Sequence, residues 1–262
     1  MATMIDRWLG LPLPALWLCL AGFYGASAII LIYLSFSRLT GAWVQSFSGV
    51  VPPYFAGMVT VFAILVGFLA NDVWDRSRRA AADVRSEAVN LTSLYDLIAT
   101  SGLPALPIDN AIRTYVSTVV EKEWPSMALG KAAPEAESAQ DQLLEAVANL
   151  EAEPASSPAI TRVMLDTALK IRDARYERIL LSADYSESFK WMNVLVFAII
   201  GQISVAAVHL ERARPNIAAM VIFTVGIVLV LGLIASHEFP FSSAFSVSPE
   251  PIAALLKIVP KG

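Results

Sequence analysis

The chain has 262 residues, 56% hydrophobic and 16% charged, with a mean hydropathy of +0.59. Soluble domains average about 45–50% apolar and about 25% charged residues, so this composition excludes an ordinary soluble protein and a disordered one, and points to a lipid bilayer. The single cysteine, Cys19, excludes an internal disulfide and a cysteine-based zinc site, and a net charge of −4 with pI near 5.3 excludes a general nucleic-acid binder.

A membrane-crossing helix needs about 20 mostly apolar residues. Four stretches qualify: Pro14 to Phe36, Val51 to Ala70, Trp191 to Leu210 and Ile217 to Ser236. The first is longer than a signal-peptide apolar region and has no small-residue cleavage site after it, so we read it as retained. Residues 71–190 hold 13 of the 19 Lys+Arg and 19 of the 23 Asp+Glu, and read as a soluble insert. The expected organisation is therefore an N-terminal membrane hairpin over 1–70, a helical stalk domain over 71–190, a second hairpin over 191–238 and a tail over 239–262.

Lys and Arg close to the spans set orientation. Arg76, Arg78, Arg79 and Arg85 follow span two; Arg172, Arg175, Arg178 and Lys190 precede span three; Arg7, Lys257 and Lys261 lie near the termini. The opposite loops carry only Arg38, Arg212 and Arg214. Both termini and the central domain are thus expected in the cytoplasm, with Arg212 and Arg214 running against the pattern.

Within the insert, Ser77, Ala81, Val84, Ala88, Leu91, Tyr95 and Ile98 recur at heptad spacing. This predicts one helix from about Pro53 to Thr100, ended by Gly102 and Pro104. A second helix starts near Pro107, buries Ile108, Ile112, Tyr115, Val116 and Val119, and stops at Pro125. A third runs from Pro134 to Leu150 with Leu143, Val147 and Leu150 inward. Ala152 to Pro158 is a linker. A fourth helix begins at Pro158, follows Ile160, Met164, Ala168, Ile171, Arg175 and Ile179, and is expected to run into span three. In the tail, Ser248 caps a short helix opened by Pro249, and Ile252, Leu255, Leu256 and Val259 form an apolar face that lies on the membrane or docks on the stalk. The fold class is all-α: four transmembrane helices with a helical cytoplasmic domain between spans two and three.

No catalytic constellation, cofactor motif or metal site is visible; His209 and His237 stand apart and no phosphate loop or nucleophile elbow occurs. The candidate residues lie at span two and the span ends. Phe55, Val59, Phe62, Val66 and Leu69 form a helical stripe that could line a hydrophobic constriction, or simply pack. Asp72, Asp75, His237 and Glu238 fall at one level, where acids repeated around an oligomer axis would attract cations. Glu87 faces that axis or pairs with an arginine such as Arg178. Gln202, mid-span, glues helices or lines a cavity, and Gly22/Ala26 and Gly232/Ser236 have the small-residue spacing of close helix packing.

Three segments carry a family resemblance: Leu65-Val66-Gly67-Phe68-Leu69-Ala70 followed by Trp74, Glu87-Ala88-Val89-Asn90-Leu91, and Pro240 followed by Val247-Ser248-Pro249. In this order and layout the chain resembles the bestrophin-like domain proteins of bacteria and plants, distant kin of bestrophins. The resemblance implies a homo-oligomer, a pentamer by analogy, in the plasma (inner) membrane. It also implies a pore lined by span two, through which inorganic ions flow, with cations preferred as in bacterial bestrophins. The competing expectation is a non-conducting, membrane-anchored interaction or sensing protein. A proton-coupled transporter ranks third, because no span carries a central ionisable residue.

Overall fold

Proline opens helix after helix in this chain, at the first-turn positions where its missing N–H costs nothing. In the computed structural model, which describes residues 4–46, 52–154, 157–184, 186–243 and 245–260, the helices are α1 (Met4–Leu9), α2 (Leu13–Phe36), α3 (Gly41–Gln45), α4 (Pro52–Ser101), α5 (Leu106–Thr118), α6 (Trp124–Met127), α7 (Pro134–Ala148), α8 (Pro158–Ala183), α9 (Ser188–Val208), α10 (Ala213–Ala235) and α11 (Glu250–Ala253). Prolines stand in the first turns of α2, α5, α6, α7, α8 and α11. No strand occurs among the described residues. Val51, residues 155 and 156 of the expected linker, and Lys261 lie outside them. Helices α2, α4, α9 and α10 are long and apolar enough to cross a membrane.

The chain divides into two units: Met1–Trp74 with Ser186–Glu238, and Asp75–Tyr185 with Phe239–Gly262. In the first, α2, α9 and α10 pack on one another. Lipid gives apolar helices little reason to associate, so shape and internal hydrogen bonds must do it. Gln202, 0% exposed, donates to the Tyr24 carbonyl (3.0 Å) and the Thr224 hydroxyl (2.8 Å) and accepts from Ser27. It joins α2, α9 and α10, which settles it as glue. The two small-residue pairs behave differently. Gly22 has nothing within 4 Å of its Cβ position, whereas a Cβ on Gly232 would lie 2.8 Å from the Trp17 ring. That ring sits over Gly232 and its indole N–H donates to the Ser236 hydroxyl at 3.1 Å.

The second unit has one continuous apolar core. Val84, Ala88, Leu91 and Ile98 of α4 are buried there, joined by Ala80 and Leu94. Ile108, Ile112, Tyr115 and Val116 of α5, Leu143 and Val147 of α7, and Met164, Ala168 and Ile171 of α8 complete it. Gly102, at φ +73°, supplies the left-handed residue that turns the chain out of α4. The tail docks on this core rather than lying free: Ile252, Leu255 and Val259 are buried in it, and Arg113 donates to the carbonyls of Leu256 (3.2 Å) and Val259 (2.9 Å). The Ser248 hydroxyl accepts from the Glu250 amide at 3.2 Å, but α11 opens one residue later than expected, at Glu250, with Pro249 in the cap position.

Two helix ends differ from the sequence reading. Pro125 does not stop the second helix. A π-helical turn, Val119–Glu123, follows α5 and leads into α6, where Pro125 occupies the first turn and needs no N–H. The fourth helix does not run into span three. The backbone is extended at Asp184 (φ −88°, ψ 128°) and Glu187 (φ −53°, ψ 127°), between α8 and α9. The Ser186 amide, which a continuous helix would need, is taken by the Glu238 carboxylate.

Gly232→Val should displace Trp17 and break its bond to Ser236, lowering stability by about 1–3 kcal/mol, as overpacking typically does. Thermal unfolding followed by tryptophan fluorescence checks this. Gly226→Ala, at a glycine with open space around it, should leave the midpoint unchanged.

Candidate functional site

The apolar half of α4 presents two faces. Phe55, Val59, Phe62 and Val66 are half-buried and Leu69 is only 2% exposed. Phe55 packs against a cluster of Ala28, Val205, Ala206 and Met220. The stripe picked from spacing is therefore the side that turns into its own unit. Of the five, Leu69 is the one that the rest of the chain covers almost fully. The other side is open: Gly57, Thr60, Ile64 (52% exposed), Phe68 (71%) and Asn71 run along it at steps of three and four. This face is uncharged, and periodicity could not rank it above the stripe because both have helical spacing.

The four polar residues expected at one level do not form an acidic ring within the chain. Asp72 pairs with Lys190 at 2.9 Å, with both side chains well exposed. Asp75 pairs with Arg79 at 2.9 Å and with Arg78 at 3.4 Å. His237 lies 2.9 Å from the Leu233 carbonyl through Nδ1. Glu238 is 0% exposed, and it accepts from the Ser186 amide and from the Trp191 indole at 3.0 Å. Trp8 stacks edge-on against Trp191 with ring centroids 5.5 Å apart, and Ser188 donates to Asp6 at 2.6 Å. The carboxylate closes the start of α9.

The densest chemistry lies in the helical unit. Glu87, Glu123 and Arg178 are each 0% exposed and Arg175 is 7% exposed. Arg178 donates through Nε to Glu87 Oε2 (2.7 Å) and through Nη2 to Glu87 Oε1 (3.2 Å) and Glu123 Oε2 (2.9 Å). Its guanidinium stands 5.2 Å from the Trp124 ring centre. Arg175 grips Glu123 with Nε and Nη2 and donates through Nη1 to Gln140 Oε1 at 2.8 Å. Tyr115 donates its hydroxyl to Glu87 at 2.6 Å. Burial, and then the Glu87 carboxylate, hold the Tyr115 hydroxyl well above its ordinary pKa, so it stays a donor. Burial alone would lower the Arg178 pKa, but Glu87, Tyr115 and Glu123 outweigh it and keep the guanidinium charged.

Of the two fates open to Glu87, pairing with Arg178 is the one realised. Glu123, Gln140 and Arg175 were missed as partners. One sign was available: Arg175 occupies a core position on the apolar seam of α8, where a charge demands a partner. Among the described residues, no group of three or more His, Cys, Asp or Glu could hold a metal ion.

An all-helical chain with four membrane-length apolar helices and a charge-pinned helical unit is a membrane protein of a recognisable kind. Residues 21–252 match the bestrophin-like domain, and the chain belongs to that family. Its fold is similar to the crystal structure of a membrane protein variant (TM-score 0.72, 13% identity, covering 92% of this chain and 96% of that one). It is also similar to variants of a bacterial bestrophin homologue from Klebsiella pneumoniae, with TM-scores of 0.69 and 0.66, identities of 12% and 13%, and coverage of 92% and 96%. None of the curated proteins matches the sequence.

Breaking a buried ion pair by removing one partner costs about 3–5 kcal/mol. Arg178→Met should lose stability on that scale, since it leaves Glu87 buried without a cation and removes one of the two that hold Glu123, and Arg178→Lys should rescue only part, since one ammonium cannot serve both carboxylates. Chemical denaturation of the purified protein, followed by helical circular dichroism, checks both.

Proposed function

We propose that this protein is the subunit of a homo-oligomeric ion channel through which ions pass passively, and that the open face of α4 lines the pore. The observation that carries the reading is the composition of that face. Gly57 and Thr60 at one end and Asn71 at the other flank Ile64 and Phe68, all exposed. Asn71 gains nothing from facing lipid, Thr60 returns its hydroxyl to the Ala56 carbonyl at 2.8 Å and so suits either side, and large apolar residues between small and polar ones make a neck that can gate by dewetting. Family membership supports the same reading, and five copies are the expectation by analogy with bestrophins. The Lys and Arg distribution supports a cytoplasmic central domain and tail.

For selectivity we propose that Asp72 tips the balance toward cations and that Lys190, its partner, holds that preference down. Glu238 drops out because it is covered, and Asp75 is neutralised by two arginines. Membrane location and passive flow require no catalytic group, and we assign none. The alternative is a non-conducting, membrane-anchored interaction protein. One observation favours it: a cleft of about 510 Å3 between α5 and α7, lined by polar residues that include Asn110, Thr114, Gln142 and Glu145.

The test is ion flux in liposomes holding the purified protein under a KCl gradient. The expected reversal potential lies toward potassium. Asp72→Asn should lower, and Lys190→Gln raise, the potassium-to-chloride permeability ratio by roughly threefold, the scale of one exposed charge at short range. Phe68→Ala should raise conductance. Intact oligomers with no flux above empty liposomes would overturn the channel and leave the interaction reading.

A further inference from the structure

Arg212 and Arg214 sit on the short turn between two membrane-length helices, on the side where the charge pattern of the chain does not call for them. The turn is rigidly held from below. Leu210 is 2% exposed, and Asn216, 0% exposed, donates through Nδ2 to the carbonyls of Ala206 (2.8 Å) and His209 (3.3 Å). The groups above it are open to solvent: His209, Glu211, Arg212, Arg214 and Pro215 are all exposed. Among the described residues neither arginine makes an ion pair, and Glu211 beside them pairs with neither.

A cleft of about 200 Å3 lies in this turn, lined by Val208, His209, Glu211, Arg212 and Pro215. It falls short of the roughly 300–1,000 Å3 of ordinary small-molecule sites, but it has room for a single compact anion. Below it, α10 exposes Ile217 (43%), Val221 (55%) and Val225 (51%) at steps of four, an apolar ridge running from the cleft along the lipid-facing surface. The α10 first turn receives no side-chain cap from Arg212.

We infer that this turn binds the phosphate group of an anionic phospholipid, with the acyl chain lying along the Ile217–Val221–Val225 ridge. Guanidinium forks match phosphate oxygens in shape and charge; Arg212, which lines the cleft, is the one placed to hold the phosphodiester, and Arg214, two residues on, adds a second positive charge to the same turn. Two arginines against one Glu211 leave the turn with a net charge of +1 at neutral His209, which selects a singly charged headgroup over a zwitterionic one. Glu211 is placed to accept from a hydroxyl on that headgroup. The site depends on α9 and α10 lying in a membrane and not on conduction, so it stands apart from the flux test above.

The experiment is native mass spectrometry of the full-length protein exposed to equal amounts of phosphatidylglycerol and phosphatidylcholine, with inorganic phosphate as a separate probe. The unaltered protein should retain phosphatidylglycerol about tenfold better, the worth of one to two charge-assisted hydrogen bonds. The Arg212→Gln/Arg214→Gln variant should lose that preference and keep its thermal midpoint in neutral detergent, since both side chains are exposed. Arg212→Lys/Arg214→Lys should keep part of it. Phosphate binding that depends on the two arginines, with no preference between the lipids, would keep the anion site and identify free phosphate as its source. A lipid preference unchanged by the glutamine variant, or no arginine-dependent binding of either probe, would overturn the proposal.

Discussion

Arg178 carries a full charge into the dry centre of the helical unit, and the helices around it are arranged to meet it. Glu87 reaches it from α4, Glu123 from the π-helical turn, and Trp124 and Met127 from α6. Tyr115 on α5 and Gln140 on α7 hold the outer edges through Glu87 and Arg175. Apolar seams tolerate sliding and rotation; a guanidinium fork between two carboxylates does not. The register of these helices is thus specified at one cluster. A hydrophobic replacement could match it in energy, so its value lies in geometry. The π-helical turn belongs to the same logic: Glu123 ends that turn, immediately ahead of Trp124, and the wider turn rotates the helix where both must face Arg178.

The membrane unit solves the same problem with neutral groups. Gln202 satisfies its donors and acceptor on α2 and α10, Trp17 lies in the notch left by Gly232, and Asn216 ties the α9–α10 turn. These bonds point inward and leave the outward surfaces to lipid or to other copies. That division is what makes the open face of α4 informative. On the apolar half of α4, Thr60 and Asn71 are turned out.

Much of the helix layout was legible from residue spacing. The helix expected from Pro53 to Thr100 runs Pro52–Ser101, because no Gly or Pro lies between the end of span two at Ala70 and Gly102. The buried faces of α5 and α7 followed from their apolar periodicity. Where the reading departed from the structure, the cause was a partner far away in sequence. The break between α8 and α9 depends on Glu238, which periodicity cannot see, and the passage through Pro125 depends on a π turn that Glu123 and Arg178 favour. Glu238 was taken for an exposed acid because its local sequence is polar, yet Trp191 and Ser186 cover it. The stripe from Phe55 to Leu69 had the right spacing for either side of a helix, and only burial tells the sides apart.

Each unit is assembled from segments distant in the chain, and this gives synthesis an order. Trp17 and Ser236 are 219 residues apart, so at about 5–20 residues per second α2 waits roughly 10 to 40 s for the helix that receives its indole. Ser27 and Tyr24 wait nearly as long for Gln202. Arg113 likewise meets the Leu256 and Val259 carbonyls only after both membrane hairpins have been made. During that interval the polar groups of α2 must find water, headgroups or the insertion machinery. The early half of this protein is a guest of its surroundings until the late half arrives.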